Sequence, residues 1–373
     1  MRGVGRVIVV TLINFFIVYL ALALIISFIF SYFAYHHLKG IIEESITAYE
    51  MQIRTRQRGI RNETLIRELV KKFNETMYKR YGLDVPLHQR ILLNTINLIT
   101  YNINFTLLSG VRYPVGDEKG GENSVDVAFN AMIRTAMLFS ISTLILLFFN
   151  ILLGLQAAKR AGSIFDKFLA IIALITNSLP MWWVAMIMIM VFAINLKIFP
   201  VRCIGLLYEL RQLQRLNLPF HEYFFRYIGI WLYYMALPII TIIIIGFGGG
   251  AYVVRSIVLV TSREDFVFVA RAKGLPERRV LYRHILRAAS PPIVAMIVFS
   301  IVGIFLGGAI ISERVFMWPG MGTVYWTAIS NGDAGVLLTL SWISVVLYLA
   351  IYFILDFVFM LLDPRIRIGK GVE

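Results

Sequence analysis

Residues 255–287 read RSIVLVTSREDFVFVARAKGLPERRVLYRHILR, a basic stretch set between two long apolar runs. Arg255, Arg263, Arg271, Lys273, Arg278, Arg279, Arg283 and Arg287 stand there against only Glu264, Asp265 and Glu277. Such a stretch belongs in water, on the cytoplasmic side where the basic loops of membrane proteins collect. It is also patterned. Phe266, Val269 and Ala270 form an apolar edge at helical spacing, Gly274 is the residue type that closes a helix, and Pro276 with Glu277 opens another. In that second helix Arg279, Arg283 and Arg287 recur every fourth position on one face, with Val280, Leu281 and Ile285 on another. Two short amphipathic helices bent at a glycine and held beneath a membrane suit docking by a soluble partner. Arginines that only fixed topology and bound anionic lipid would need the charge, but neither the glycine break nor the apolar face.

The flanking runs decide the class. The chain is 59% hydrophobic and 16% charged, with a mean hydropathy of +0.76, which excludes an ordinary soluble globule. A span needs about 20 apolar residues, and six segments qualify, near residues 7–33, 129–155, 168–195, 229–254, 290–312 and 338–362. The expected fold is an all-α integral membrane protein with six transmembrane helices and an enlarged external region between the first two. Its organisation would be an N-terminal transmembrane helix (1–33), an external region (34–128) and a five-helix core (129–373) carrying the 255–287 loop. The first span has no small-residue cleavage site and is expected to be retained. Arg2 and Arg6 before it, Lys159, Arg160 and Lys167 after the second, and Arg365, Arg367 and Lys370 after the sixth place both termini in the cytoplasm.

The net charge of +14 does not point to nucleic acid, because the basic residues lie in loops on both sides of the membrane without an aromatic-lined groove. Cys203 is the single cysteine, too few for an intramolecular disulfide or a cysteine-based metal cluster. Within the external region, residues 41–81 combine both charges with apolar residues at near-helical intervals and read as a surface helical excursion. Residues 81–101 read as an amphipathic stretch lying on the outer membrane surface or at an external mouth, and Gly116–Gly121 as a flexible link. Three glycosylation sequons, at Asn62, Asn74 and Asn104, all fall in this region. A charged helical piece is expected around Glu209–Arg215 in the second external loop.

The run Ala270–Leu275 (ARAKGL), followed by Arg283-His284 and Pro292, resembles the cytoplasmic coupling loop of permease subunits of ABC importers of the dipeptide/oligopeptide class, which implies peptides as the leading solute, with oligosaccharides and nickel handled by close relatives. The resemblance extends through Glu313–Phe316, Trp318-Pro319-Gly320, Gly322, Asp333 and Asp363–Arg367, and upstream through Tyr81–Asp84, Pro86, Ser178, Pro180 and Phe199-Pro200. Departures from the pattern are Ala288, Ser290-Pro291 and Asn331–Gly335. The resemblance implies a pore formed with a second permease subunit, two ATPase subunits seated on the coupling loops, and an external solute-binding protein that delivers the solute. It makes Ala270, Arg271, Ala272, Lys273, Gly274, Leu275, Arg279 and Arg283 the ATPase-coupling residues. No GxxxxGK[ST] loop, HExxH, GxSxG or Cys/His metal spacing occurs in the chain, so ATP and magnesium are expected on the partner subunits, with no cofactor or metal here. An ion-coupled secondary transporter would need ionisable residues at mid-membrane, and a membrane-embedded enzyme would need a catalytic constellation. Neither stands out.

Two further places in the chain invite a role. Glu313, Phe316, Trp318, Pro319, Gly320, Gly322 and Asp333 read as a tight re-entrant turn with aromatic anchors at the outer mouth, an outer gate. There a carboxylate beside apolar Ile310 and Ile311 demands a partner, either Arg314 or a group on the second subunit. Asn177, Ser178 and Pro180 interrupt the third span and suit a translocation path.

Overall fold

The computed structural model describes residues 2–56, 63–80, 83–103, 105, 111, 113, 123–303 and 310–362. Helices account for nearly all of them and no strand occurs among the described residues, as the sequence predicts. The chain divides into two compact units, one of residues 1–128 with 327–346 and one of residues 129–326 with 347–373.

In the first unit, helix α1 (Arg2–Arg56) is continuous over 55 residues. At 1.5 Å per residue it is about 80 Å long, well over twice a hydrocarbon thickness. The first span therefore does not stop at residue 33. No proline interrupts the run, and i,i+4 pairs such as Lys39–Glu43 and Glu50–Arg54 support its polar half. Helix α2 (Glu63–Arg80) packs back on that half. Tyr49 stacks on Phe73 at 4.1 Å, while Leu38, Ile42, Met77 and Leu83 close a small core. The predicted helical excursion is thus a hairpin, half of it borrowed from the first span.

Helix α3 (Leu87–Ile99) lies along the apolar half of α1. The Tyr19 hydroxyl donates to the carbonyls of Leu98 and Ile99, and the Asn94 amide donates to the Ser31 hydroxyl at 3.1 Å. Within the amphipathic stretch 81–101 the chain forms this short helix beside the first span. Its outward Leu92, Leu93 and Ile96 remain exposed, an apolar face suited to lipid. Asn62, Asn104 and Gly116–Gly121 lie outside the described residues, and Asn74 is half-buried on α2.

The second unit is built on helices α4 (Ser124–Lys159), α5 (Ile164–Ser178), α6 (Met181–Met188, continued by a π-helical Ile189–Asn195), α7 (Gly205–Arg215) and α8 (Phe220–Thr261). After them come α9 (Asp265–Ala272), α10 (Glu277–Arg279, continued by a π-helical Val280–Ile285), α11 (Leu286–Gly303) and α12 (Ile310–Phe316). Helices α13 (Met321–Asn331) and α14 (Ala334–Leu362) follow, and each is divided between the two units, residues 327–346 belonging to the first. Pro238 lies inside α8 and cannot donate to the Tyr234 carbonyl one turn back. The Cys203 thiol meets that carbonyl at 3.4 Å, and the lone cysteine thereby covers a backbone group that proline frees.

By length and composition four helices can cross a membrane, α1, α4, α8 and α14, or five if the bent pair α5–α6 is one span. The six spans predicted are not all counted among the described residues. The third is folded at 94° into two pieces that are each about 22 Å long, too short to cross alone. The fifth is described only up to Gly303 and again from Ile310.

Candidate functional site

The basic stretch folds as its punctuation predicts. Helix α9 ends at Ala272, Gly274 takes a positive φ of 76°, and Pro276 stands in extended backbone as the cap of α10. The Gly274 N–H bonds to the Arg271 carbonyl at 2.9 Å and that of Leu275 to the Ala270 carbonyl, which closes the helix end with a left-handed residue as glycine allows. Across the bend the Arg271 guanidinium makes a two-pronged contact with Glu277, with Nη2 2.7 Å from Oε1. Hydrogen bonding to Arg271 holds the Glu277 carboxyl below its usual range. Both side chains are about half exposed, so the pair shapes the bend more than it stabilises it.

The apolar side of the bend is buried in one core of Val254, Val258, Val267, Ala270, Val280, Leu281, Ile285 and Ala289. The edge of α9 is consequently Val267 and Ala270 with half-buried Phe266 packed against the same core, so that Phe266 and Ala270 lie where the sequence pattern predicted them and Val267 takes the place of Val269. Val269 points outward, and Phe268 is 75% exposed. Of the eight predicted coupling residues, Arg271, Ala272, Lys273, Gly274, Arg279 and Arg283 are exposed, Leu275 is half-buried and Ala270 is in the core. Phe268 and Tyr282 are large exposed side chains on the same segment that the arginine pattern hid. An exposed aromatic amid cations is the composition of a protein-contact surface.

The predicted turn at residues 313–322 is packed into the interior of the second unit. Trp318 is fully buried against Trp231, with ring centroids 6.1 Å apart, and Phe316, Pro319 and Gly320 are buried with it. Glu313 is 1% exposed. Its carboxylate accepts from the Thr135 hydroxyl at 2.7 Å and from the Gly322 N–H at 2.7 Å, with a further backbone bond from Thr323. Thr135 in turn accepts from the Met321 N–H at 2.8 Å. Glu313 and Thr135 therefore cap the first turn of α13, whose free N–H groups and positive dipole end favour a carboxylate. The sequence reading looked to Arg314 or a second subunit for a partner. The partners are neutral donors within the unit, and Arg314 lies over the Trp326 ring instead. A Cβ on Gly320 would press on the Thr135 hydroxyl and on Glu313, so that glycine is set by space.

Asp333 belongs to the first unit. It accepts from the Tyr113 hydroxyl at 2.7 Å and from the Val336 N–H at 3.2 Å, at the start of α14. Asn177, Ser178 and Pro180 sit at the break: α5 ends at Ser178, Leu179 is extended and Pro180 precedes α6. The Ser178 hydroxyl is returned to the Leu174 carbonyl and Asn177 packs on Gly249.

The sequence reading passed over a third contact. Arg255, the first basic residue of the 255–287 stretch, is hydrogen-bonded through Nε and Nη2 to Asp166 in the first turn of α5. Ser163-Ile164-Phe165-Asp166 is a capping-box spacing before an apolar run, a signal that could have marked Asp166.

Residues 150–368, more than half of the chain, match the family described as "binding-protein-dependent transport system inner membrane component". The chain is 32% identical over 299 residues to the di/tripeptide transport system permease protein DppB of Pseudomonas aeruginosa, covering 77% of this chain and 83% of that protein. It is 30% identical over 303 residues to the dipeptide transport system permease protein DppB of Escherichia coli (78% and 84%). It is also 27% identical over 293 residues to the oligopeptide transport system permease protein AppB of Bacillus subtilis (79% and 84%). The match takes in the glycine bend, the buried Trp-Pro-Gly turn and the broken span together, and the chain belongs to the family of inner-membrane components of binding-protein-dependent transport systems.

Proposed function

We propose that this chain is one half of the membrane pathway of an ATP-driven ABC importer of di- or oligopeptides, with a second permease subunit supplying the other half. The observation that carries the proposal is the bend at Asp265–Arg287. It presents Phe268, Arg271, Lys273, Arg279 and Arg283 to solvent while its apolar side is buried against the end of α8. An exposed, internally braced bend of this kind suits a groove on an ATPase subunit, where guanidinium groups reach carboxylates and carbonyls. Two such subunits would hold ATP and magnesium, and their closure would drive alternating access. The broken span at Asn177–Pro180 would border the path. The turn capped by Glu313 would form part of its outer closure, facing a solute-binding protein. Both termini would be cytoplasmic. Peptides are favoured as the solute because the relatives are named for peptide transport.

The test is reconstitution in proteoliposomes of the chain with its second permease, ATPase and binding-protein partners, and measurement of ATP-dependent uptake of labelled di- and tripeptides. Uptake that needs ATP and the binding protein supports the reading, and uptake driven by an ion gradient without ATP overturns it. Topology is tested separately in a Cys203→Ser background. A cysteine at Glu68 should react with an impermeant maleimide in intact cells, whereas one at Lys273 should react only after lysis.

A further inference from the structure

On the reading just given, the bend must pass a displacement to the broken span, and we infer that Asp166 and Arg255 are the positioning pair that joins α5 to α8 for this purpose. Asp166 is 4% exposed, and the Arg255 side chain is largely buried beside it. Arg255 Nη2 donates to Asp166 Oδ2 at 2.6 Å and Nε donates to Oδ1, a fork-to-fork contact that fixes orientation as well as distance. The same carboxylate accepts from the Gly162 N–H at 2.8 Å, and the Asp166 N–H donates to the Ser163 hydroxyl. Asp166 therefore ties together the turn after α4, the cap of α5 and the end of α8. Arg255 also lies over the Tyr252 ring, its guanidinium carbon 5.1 Å from the centroid.

The remainder of the α5–α8 seam is closely packed. Gly248 faces Ile172, Ala173 and Thr176, and Gly249 faces Asn177, each with no room for a Cβ. Arg255 lies between Val254 and Val258, which belong to the core that holds the apolar side of the bend. A push on the bend thus reaches the end of α8 through that core and reaches the start of α5 through the ion pair. Helix α5 delivers it to the 94° break at Ser178–Pro180. Helices that slide on one another do not keep a bidentate, desolvated ion pair, because leaving either charge unpaired is costly. The two helices act as one lever.

The test uses the reconstituted complex and reads two rates together, ATP hydrolysis and solute uptake. Asp166→Asn and Arg255→Gln are each expected to retain hydrolysis while uptake per ATP falls at least tenfold. The charge-swapped pair Asp166→Arg with Arg255→Asp is expected to recover several-fold of the loss. In case a charge change prevents assembly, a second arm replaces the pair by Asp166→Cys and Arg255→Cys in a Cys203→Ser background. Uptake should be low before, and restored after, closure with a short bis-maleimide. Single variants with an unchanged uptake-to-hydrolysis ratio overturn the inference, as does a cross-link that fails to restore uptake. A wild-type complex that hydrolyses ATP without uptake counts first against the importer reading, and with it against a lever that would then drive nothing.

Discussion

Two glycine turns stand out in this chain, the bend around Gly274 and the turn around Gly320, and they solve opposite problems. Gly274 has a positive φ and open space where a Cβ would be, whereas Gly320 has no room for a Cβ between Thr135 and Glu313. Around Gly274 the charges face outward, with Arg271 paired to Glu277 across the bend. Around Gly320 the carboxylate faces inward, and neutral donors satisfy it. The first region presents Lys273, Arg279 and Arg283 to solvent. The second has spent its hydrogen bonds holding a helix start, so its contribution to any gate comes through rigidity.

The comparison breaks most readily at Glu313. Glu313→Ala removes the acceptor for the Thr135 hydroxyl and for N–H groups at the start of α13, buried donors that cannot turn to water. We expect a loss of on the order of 3 kcal/mol, read as a lower thermal midpoint in detergent, with Glu313→Gln clearly milder because one acceptor oxygen remains. A midpoint unchanged by Glu313→Ala would show that the turn is not held by its cap.

Gly320→Ala should follow, with an overpacking cost of about 1–3 kcal/mol. Pairing it with Thr135→Ala, which removes the hydroxyl the new methyl would meet, sharpens the comparison by testing whether space sets the cost. Additive losses in the double variant would point away from a local clash.

At the other turn, Gly274→Val forces a branched residue into the left-handed region at a cost of about 1–2 kcal/mol. Here stability and function should part company. Membrane insertion persists, but the ATPase no longer co-purifies. Gly274→Asn, which tolerates that region better, should retain more of the association. A Gly274→Val subunit that brings the ATPase down at normal yield removes the docking assignment.

The smallest stability effect should come from Phe268→Ala or Arg271→Ala. Each removes an exposed group, and the Arg271–Glu277 pair is worth less than about 1 kcal/mol at the surface. We expect thermal midpoints within error of the parent while ATPase association falls severalfold. The contrast with Glu313 is between a residue that stabilises the fold and one that serves a partner. Equal association in all three proteins would leave the exposed side of α9 without a role.

Much of this was legible in the amino-acid order. The helical class, the glycine bend at Gly274, the break at Ser178–Pro180 and the helical piece ending at Arg215 all follow from local rules, namely apolar run length, glycine and proline punctuation and helical spacing. The face buried by α9 takes Val267 in place of the expected Val269 beside Phe266 and Ala270, because in an eight-residue helix the two valines are equally apolar and only the neighbours choose between them. The interruption of the third span was marked but its angle was not, since run length and proline punctuation say nothing of the 94° between the two pieces. Glu313 was identified, but its partner was not, because Thr135 is 178 residues away in sequence and sits in an apolar helix with nothing local to mark it.

What the order of residues settles alone is the solvent each segment requires and where the backbone must turn, since both depend on side chains within a few positions. The partners of buried polar groups were decided by the tertiary structure. Burial makes an unmet carboxylate or guanidinium costly, but which donor lies within reach of Glu313, or which carboxylate receives Arg255, depends on how helices distant in sequence come together.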